Sequence, residues 1–243
     1  MLNFIVSALK IIIMFGVLVL IHEGGHFLVA KLFNIKVNEF AIGFGPKIFT
    51  KEKGETIYAL RLIPLGGFVN LEGEEEFSDA EGSFSNAPIL KKIAIVAAGG
   101  LVNIIFGMIA YFILIAVIAG FQSAFMNTIA YIGEVLKSLA ELFTGKIQTE
   151  QVTGIVGISN IVVSTSGIKE YIYIISAISI SLGVTNLLPF PPLDGGKILL
   201  YIIEGIRKKK LNEEIEFKIQ ALGFSILIVL SIYVTYKDIL KLF

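Results

Sequence analysis

Long apolar runs divide the chain into segments that could each cross a membrane. Four of them cover residues 4–30, 93–119, 171–193 and 219–236, and the second and third contain no charged side chain. A helix of about 20 apolar residues spans a hydrocarbon core that is about 30 Å thick. The pattern therefore predicts an all-α polytopic membrane protein with four transmembrane helices.

The segment between the first and second runs has a different pattern, because short β-prone runs replace the long apolar ones. Residues 47–53 and 55–63 flank a Lys53-Gly54 turn signal, and glycines and prolines occur on both sides of the pair. This pattern predicts a β-hairpin within residues 37–70. The next residues, 72–81, include six acidic side chains and are expected to form a solvated loop.

The segment between the second and third runs, residues 124–168, is predicted to lie at the membrane interface. Its first part predicts an amphipathic helix. The apolar residues that recur there at helical spacing are Phe125, Ile129, Ile132, Leu136, Leu139 and Phe143. Residues 151–168 are uncharged and rich in glycine and serine, as in a short re-entrant element. No repeat, low-complexity tract or linker marks a second domain, so residues 1–243 are expected to form one domain.

Composition agrees with a membrane protein and excludes some classes of function. Hydrophobic residues make up 55% of the 243 residues, charged residues make up 16%, and the mean hydropathy is +0.83. The 20 basic side chains are balanced by 20 acidic ones, so the chain lacks the basic excess that binds nucleic acids. It contains no cysteine and two histidines. Any metal must therefore be bound by His, Asp or Glu side chains.

The distribution of basic residues predicts how the chain is oriented in the membrane. The first and third loops are rich in lysine and arginine, and the second loop is poor in them. Because basic loops favour the cytoplasm, we expect the first and third loops to be cytoplasmic and both termini to lie outside.

Both histidines fall within the stretch His22-Glu23-Gly24-Gly25-His26. In a helix, residues four apart lie one turn apart on the same face, so both imidazoles can reach one ion. This is the HExxH arrangement of metalloproteases, in which Glu23 would act as the general base towards zinc-activated water. The alternative is a hydrogen-bonded polar cluster without a metal. Ionisable groups inside a span cost about 2.5–3.5 kcal/mol each and usually mark function, which favours the metal.

A catalytic zinc site usually has three protein ligands and one open position. Because the chain has no further histidine and no cysteine, the third ligand must be a carboxylate, and Asp194 at the end of the third apolar run is the candidate. Three prolines before it should break the helix, as expected where a chain lines a cavity. The alternative is that Asp194 and Gly195 form a turn at the membrane edge. The predicted topology places all three ligands on the cytoplasmic side.

Two amide side chains interrupt the apolar spans. Asn103 and Asn186 could donate hydrogen bonds to the tetrahedral intermediate or hold the substrate backbone. The alternative for both residues is hydrogen bonding between helices.

With these motifs the chain resembles the site-2 protease family of intramembrane zinc metalloproteases, in particular the bacterial branch that cleaves anti-sigma factors and signal-peptide remnants. HEGGH at residues 22–26 resembles the HExxH motif of the family, and NLLPFPPLDGG at residues 186–196 fits its N-x-x-P-x-P-x-L-D-G pattern. Residues 42–48 and 63–69 resemble the segments that bound the family's membrane re-entrant β-loop. Gly66 and Gly67 lie in the second of these segments.

The resemblance implies that His22, His26 and Asp194 bind one zinc ion, that Glu23 is the base, and that the active site faces the cytoplasmic half of a bacterial plasma membrane. It also implies that the β-loop, including its two adjacent glycines, receives the substrate as an added strand. Expected substrates are single-span membrane proteins, such as anti-sigma factors or signal-peptide remnants, that another protease has already trimmed.

Many members of this family carry PDZ domains after the second span. Residues 120–170 are too few for such a domain beside the predicted helix, so none is expected. Two other functions fit part of the pattern. An ion transporter or channel could bind a permeating ion with intramembrane carboxylates, and a catalytically inactive member could bind membrane helices. Replacing Glu23 by Gln would spare transport or helix binding but abolish proteolysis.

Overall fold

The computed structural model describes residues 2–74, 76–143 and 153–241, and these residues are mostly helical. The helices are α1 (Leu2–Leu32), α2 (Ile89–Ala119), α3 (Phe121–Phe143), α4 (Ile155–Ser164), α5 (Ile168–Asn186), α6 (Asp194–Arg207) and α7 (Glu213–Leu240). Two strands, β1 (Val37–Lys53) and β2 (Thr56–Leu71), precede the short 3-10 helix Phe84–Asn86. The predicted helical fold is confirmed, with one small sheet.

In the described ranges, four helices are long and apolar enough to span a membrane, as predicted. They cover Ile5–Leu32, Ile89–Ala119, Ile168–Asn186 and Glu214–Leu240. Large apolar side chains along these helices are exposed, among them Ile113, Val117 and Val229. Such surfaces are unfavourable in water and compatible with lipid. The chain is a multi-pass membrane protein.

The third span ends at Asn186, earlier than the predicted residue 193. Residues 187–193 form turns instead of helix. Pro189, Pro191 and Pro192 cause this break, because proline lacks a backbone N–H and restricts the conformation of the residue before it. A new helix, α6, then begins at Asp194.

The predicted hairpin is confirmed, since β1 and β2 form a two-stranded antiparallel sheet. Its turn includes Gly54, whose φ of +64° favours glycine. Ala41 lies opposite both Phe68 and Ala59. The first part of β1 therefore pairs with the end of β2 on one side and with the beginning of β2 on the other. Within the described part of the chain, β1 alone pairs with residues 67–71, and the other edge of this segment has no strand partner.

The chain forms two compact units. The second unit, Ile12–Ile105 with Ser179–Phe224, contains the sheet and every predicted site residue. Its buried apolar core consists of Ala30, Ile35, Val37, Leu71, Phe84, Ile95 and Val96. These residues come from the end of α1, its following loop, both strands, the 3-10 helix and α2. The core therefore fixes β2 against the two helices.

The first unit consists of the described parts of Met1–Ile11, Phe106–Ile178 and Ser225–Phe243. It contains α3, which confirms the helix predicted in the second loop, and the side chains of Phe125 and Ile129 on this helix are exposed. The side chains of Leu136, Leu139 and Phe143 lie outside the described residues, as do residues 151 and 152 of the predicted re-entrant element. The rest of that element contains α4.

Two ionisable residues of the apolar helices hold the ends of α4. Oδ2 of Asp238 accepts hydrogen bonds of 2.9 Å from the backbone N–H groups of Gly154 and Gly157 at the start of α4. At the other end, Nζ of Lys10 donates a 2.8 Å hydrogen bond to the carbonyl oxygen of Thr165. Both contacts match the polarity of the helix dipole. Capping of α4 therefore accounts for these two charges.

Candidate metal centre

Three side chains from two helices converge in the second unit. His22 and His26 are one turn apart on α1, and Asp194 is the first residue of α6. The two Nε2 atoms are 3.2 Å apart and lie 3.2 and 3.5 Å from Oδ2 of Asp194. One possible ligand atom from each of the three predicted ligands lies within 4.8 Å of the others, so the three side chains could hold one ion.

Two glycines after Asp194 allow the chain to fold back closely at the start of α6. A Cβ atom at Gly195 would overlap the carbonyl oxygen of Leu188, and a Cβ atom at Gly196 would lie 2.7 Å from the backbone nitrogen of Pro191. A larger side chain at either position would push α6 away from the preceding turns. The Asp-Gly-Gly sequence therefore fixes Asp194 against the broken part of the third span.

The packing of α2 against α1 leaves room for an ion only because residue 99 is glycine. A Cβ atom at Gly99 would overlap Nε2 of His26 and lie 2.8 Å from Cε1 of His22. Gly25 on α1 packs similarly, since its Cβ would lie 2.6 Å from the carbonyl oxygen of Ala98. The sequence alone did not identify Gly99, because its importance follows from the contact between two helices.

The donor atoms fit a divalent cation. Nδ1 of His26 lies 2.8 Å from the carbonyl oxygen of Ile95, which can accept the imidazole proton and leave the lone pair of Nε2 free to bind a metal. Oδ2 of Asp194 is buried, and its polar neighbours are the Nε2 atoms of His22 and His26, at 3.2 and 3.5 Å. Two imidazoles and a carboxylate are a common ligand set of catalytic zinc sites.

Glu23 lines a cavity of about 190 Å³ together with the three candidate ligands. Val69 and Leu71 of β2 also line this cavity, and a Cβ atom at Gly67 would lie 3.6 Å from Cγ of Glu23. The edge of the sheet therefore runs past the predicted base. The cavity can hold a few water molecules, whereas a helix with its side chains is about 10 Å wide.

The two predicted amides lie on opposite sides of one imidazole ring. Nδ2 of Asn186 is 3.5 Å from Nε2 of His22, on the side of the other candidate ligands. Nδ2 of Asn103 is 3.4 Å from Nδ1 of the same ring. Both residues therefore belong to the site, but only Asn186 faces the point where the ligand atoms converge.

The two glycines predicted to contact substrate have different surroundings. Gly67 is close to Glu23, as described above, and to the carbonyl oxygen of Ala41. Gly66 instead packs against the ring of Phe44 and has a φ of +89°, a conformation that favours glycine. The structure thus brings Gly67 next to the side chain of Glu23, whereas Gly66 bends the strand.

The cavity wall contains an ion pair that the sequence did not predict. Nζ of Lys197, one turn after Asp194 on α6, donates a 2.9 Å hydrogen bond to Oε1 of Glu74, and both residues line the cavity. Burial alone would lower the pKa of Lys197, but the Glu74 carboxylate outweighs burial and holds the pKa above its usual value. Glu74 belongs to the acidic segment 72–81, for which the sequence predicts a solvated loop. Lys197 follows Asp194 by three residues on α6 and therefore shares its helix face. This spacing was the one sign in the sequence that Lys197 could lie near the site.

Comparison with known proteins gives a family match over most of the chain. The model of peptidase family M50 matches residues 10–230. A putative zinc metalloprotease of Clostridium acetobutylicum is 28% identical over an alignment 324 positions long, which covers 94% of this chain and 96% of that protein. The regulator of sigma-W protease RasP of Bacillus subtilis is 24% identical over an alignment 423 positions long, which covers 99% of this chain and 100% of RasP. That alignment is longer than the 243 residues of this chain, so RasP contains additional segments.

The contact at Gly99 gives the first testable prediction. We expect Gly99→Ala to weaken zinc binding by more than about 100-fold, because the added methyl group would occupy the space between the imidazoles. Zinc affinity can be measured by chelator competition on protein purified in detergent. Gly16→Ala on α1 is the matched control, since no atom lies within 4 Å of a Cβ at that position. Unchanged zinc affinity in Gly99→Ala would contradict the proposed packing of the site.

Proposed function

This chain belongs to peptidase family M50, and we propose that it hydrolyses peptide bonds within or near the transmembrane helices of single-span membrane proteins. It is a site-2-type zinc metalloprotease of the membrane, and Zn²⁺ is its cofactor. The observation that carries the proposal is the convergence of His22, His26 and Asp194 beside Glu23 in one small cavity.

We propose that His22, His26 and Asp194 hold the zinc ion. Their donor set, the burial of Oδ2 of Asp194 beside both Nε2 atoms and the proton acceptor at His26 all support this assignment. When bound, zinc supplies Lewis-acid polarisation of the scissile carbonyl and activation of water. The position of all three residues beside a cavity leaves space for that water and for a substrate group.

Glu23 is the proposed general base. It lies on α1 between the two histidines and lines the same cavity. Its carboxylate would accept a proton from the attacking water and return it to the leaving amine, a role that requires a carboxylate free of metal coordination. The absence of Glu23 from the group of converging ligands is compatible with that role.

Asn186 is the proposed donor to the substrate. Its Nδ2 atom faces the same side of His22 as the other ligands, where an amide N–H can bind a developing oxyanion or a substrate carbonyl. Asn103 lies on the other side of the ring. Of the two amides, Asn186 is therefore the one that we assign to substrate contact.

The substrate is proposed to enter as an extended chain. A cavity of about 190 Å³ is too small for a helix about 10 Å wide, which favours an unwound segment at the site of cleavage. Residues 67–71 offer the edge along which an extended segment could add as a strand. Gly67 and Val69 in this segment adjoin Glu23 and the cavity, which would bring the scissile bond to the base.

The part of the hairpin formed by residues 44–49 and 62–63 is proposed to enter the membrane as a re-entrant loop. Apolar side chains in this part are exposed, namely Phe44, Ile48, Phe49, Leu62 and Ile63. Exposed apolar residues in such density are unfavourable in water. These exposed residues support entry of the hairpin into the membrane. The basic first and third loops support an active site on the cytoplasmic side of a bacterial plasma membrane, with both termini outside.

The natural substrates are proposed to be single-span proteins, such as anti-sigma factors or signal-peptide remnants, after cleavage by another protease. The name of the Bacillus subtilis relative, regulator of sigma-W protease, supports the first class. We further propose that residues 1–243 act as one transmembrane protease domain without a PDZ domain.

The test of this function compares the wild type with Glu23→Gln. We expect both proteins to bind about one zinc ion per chain, because Glu23 is not a ligand, and we expect cleavage of single-span model substrates to fall by about 10²–10⁴-fold in the variant. Bound zinc and cleavage products are measured on the same detergent preparations. Chelation should stop cleavage by the wild type, and added zinc should restore it. Equal cleavage by both proteins would refute the role of Glu23.

Cysteine labelling tests the membrane arrangement, because the chain contains no natural cysteine. We expect Lys208→Cys to react with a water-soluble maleimide only from the cytoplasmic side, and Lys169→Cys only from the outside. Phe49→Cys at the exposed end of the hairpin should react slowly with the water-soluble reagent and readily with a lipid-soluble one. If Phe49→Cys reacted as fast as Lys208→Cys with the water-soluble reagent, the re-entrant hairpin would be wrong.

A further inference from the structure

Asn103 is the buried polar side chain of α2 nearest to the metal centre. None of its surface is exposed, and its Nδ2 atom lies 3.4 Å from Nδ1 of His22. The hydroxyl group of Ser179 on α5 donates a 2.8 Å hydrogen bond to the backbone carbonyl oxygen of Asn103. The residue is therefore held between α1 and α5 and cannot move away from the imidazole ring easily.

A zinc-binding imidazole needs a proton acceptor on the side away from the metal. A neutral imidazole that gives the Nε2 lone pair to an ion carries its single proton on Nδ1. For His26 the carbonyl oxygen of Ile95 lies 2.8 Å from Nδ1 and accepts this proton. For His22, the Asn103 amide is the hydrogen-bonding group at Nδ1 within the described part of the chain.

The Asn103 amide can supply that acceptor. In the orientation described, its NH₂ group faces Nδ1 of His22, and its Oδ1 atom is buried without a hydrogen-bond partner among the described residues. Rotation of the planar amide by 180° exchanges two groups of nearly equal size. After this rotation, the unused oxygen acceptor meets the Nδ1–H donor of His22.

We infer that Asn103 is a positioning residue for the metal centre: its amide oxygen accepts the Nδ1 proton of His22 and holds this ligand in the tautomer and orientation that bind zinc. The inference rests on the proposed zinc ligation by His22. It differs from the expectation that Asn103 donates a hydrogen bond to the substrate, because it uses the amide as an acceptor. Partners of this kind typically change metal affinity by about 10–100-fold.

Two substitutions of similar size separate the acceptor from the donor. Asn103→Asp keeps an oxygen acceptor and removes the NH₂ donor, whereas Asn103→Leu removes both functions. Zinc affinity is measured by chelator competition on the wild type and both variants, cleavage of a single-span model substrate is measured at saturating zinc, and the thermal unfolding of each metal-free protein reports on folding. Wild-type protein without bound zinc would overturn the proposed function itself, before either variant is considered.

With zinc bound to the wild type, the inference predicts that Asn103→Leu weakens zinc binding by about 10–100-fold. It predicts that Asn103→Asp binds zinc at least as tightly as the wild type and retains cleavage at saturating zinc. Wild-type zinc affinity in Asn103→Leu would overturn the inference. So would an Asn103→Asp protein that binds zinc but does not cleave, because that result would assign the amide N–H to the substrate. If Asn103→Leu did not fold, loss of zinc affinity in a folded Asn103→Asp would overturn it equally.

Discussion

The close contact between α1 and α2 is the interaction on which the proposed metal centre depends. His22 and His26 are four residues apart on α1, and Ile95, Gly99 and Asn103 follow one another at the same spacing on α2. Residues at this spacing share one helix face. The face of α2 therefore provides a carbonyl oxygen for His26, a gap for the ligand atoms and an amide for His22. A methyl group at the middle position would displace both imidazoles.

The broken third span supplies the third candidate ligand, Asp194, and the amide of Asn186. Prolines end α5 at Asn186 and leave turns before α6, so that an amide and a carboxylate from one short segment both reach His22. Irregular backbone at membrane depth is tolerated where protein or water satisfies its polar groups. The cavity beside Asp194 leaves room for water at this segment, and the ion pair between the partly exposed side chains of Lys197 and Glu74 forms part of its wall. The proposed chemistry would thus occur where the helix is interrupted.

Much of this arrangement could be predicted from the sequence. Apolar length indicated four spans, a Lys-Gly turn between β-prone runs indicated the hairpin, and the only two histidines, one turn apart, indicated a metal site whose third ligand had to be a carboxylate. The contacts of Gly99 and Glu74 could not be predicted in this way, because each depends on which residue of another element lies opposite. The same limit applies to Asn103 and Asn186, which looked equivalent as amides in apolar spans but face different nitrogens of His22. Spacing predicts which residues share a face, and tertiary packing decides what that face meets.

X-ray absorption at the zinc edge is the measurement that addresses zinc ligation itself, because it reports the ligands of the bound ion without depending on a substrate. For the wild type, we expect nitrogen and oxygen ligands at about 2.0–2.2 Å with outer-shell scattering from two imidazoles. The Asp194→Ala variant should lose one oxygen ligand from this shell or lose the ion. A spectrum with fewer than two imidazoles, or one that Asp194→Ala leaves unchanged, would contradict zinc ligation by His22, His26 and Asp194.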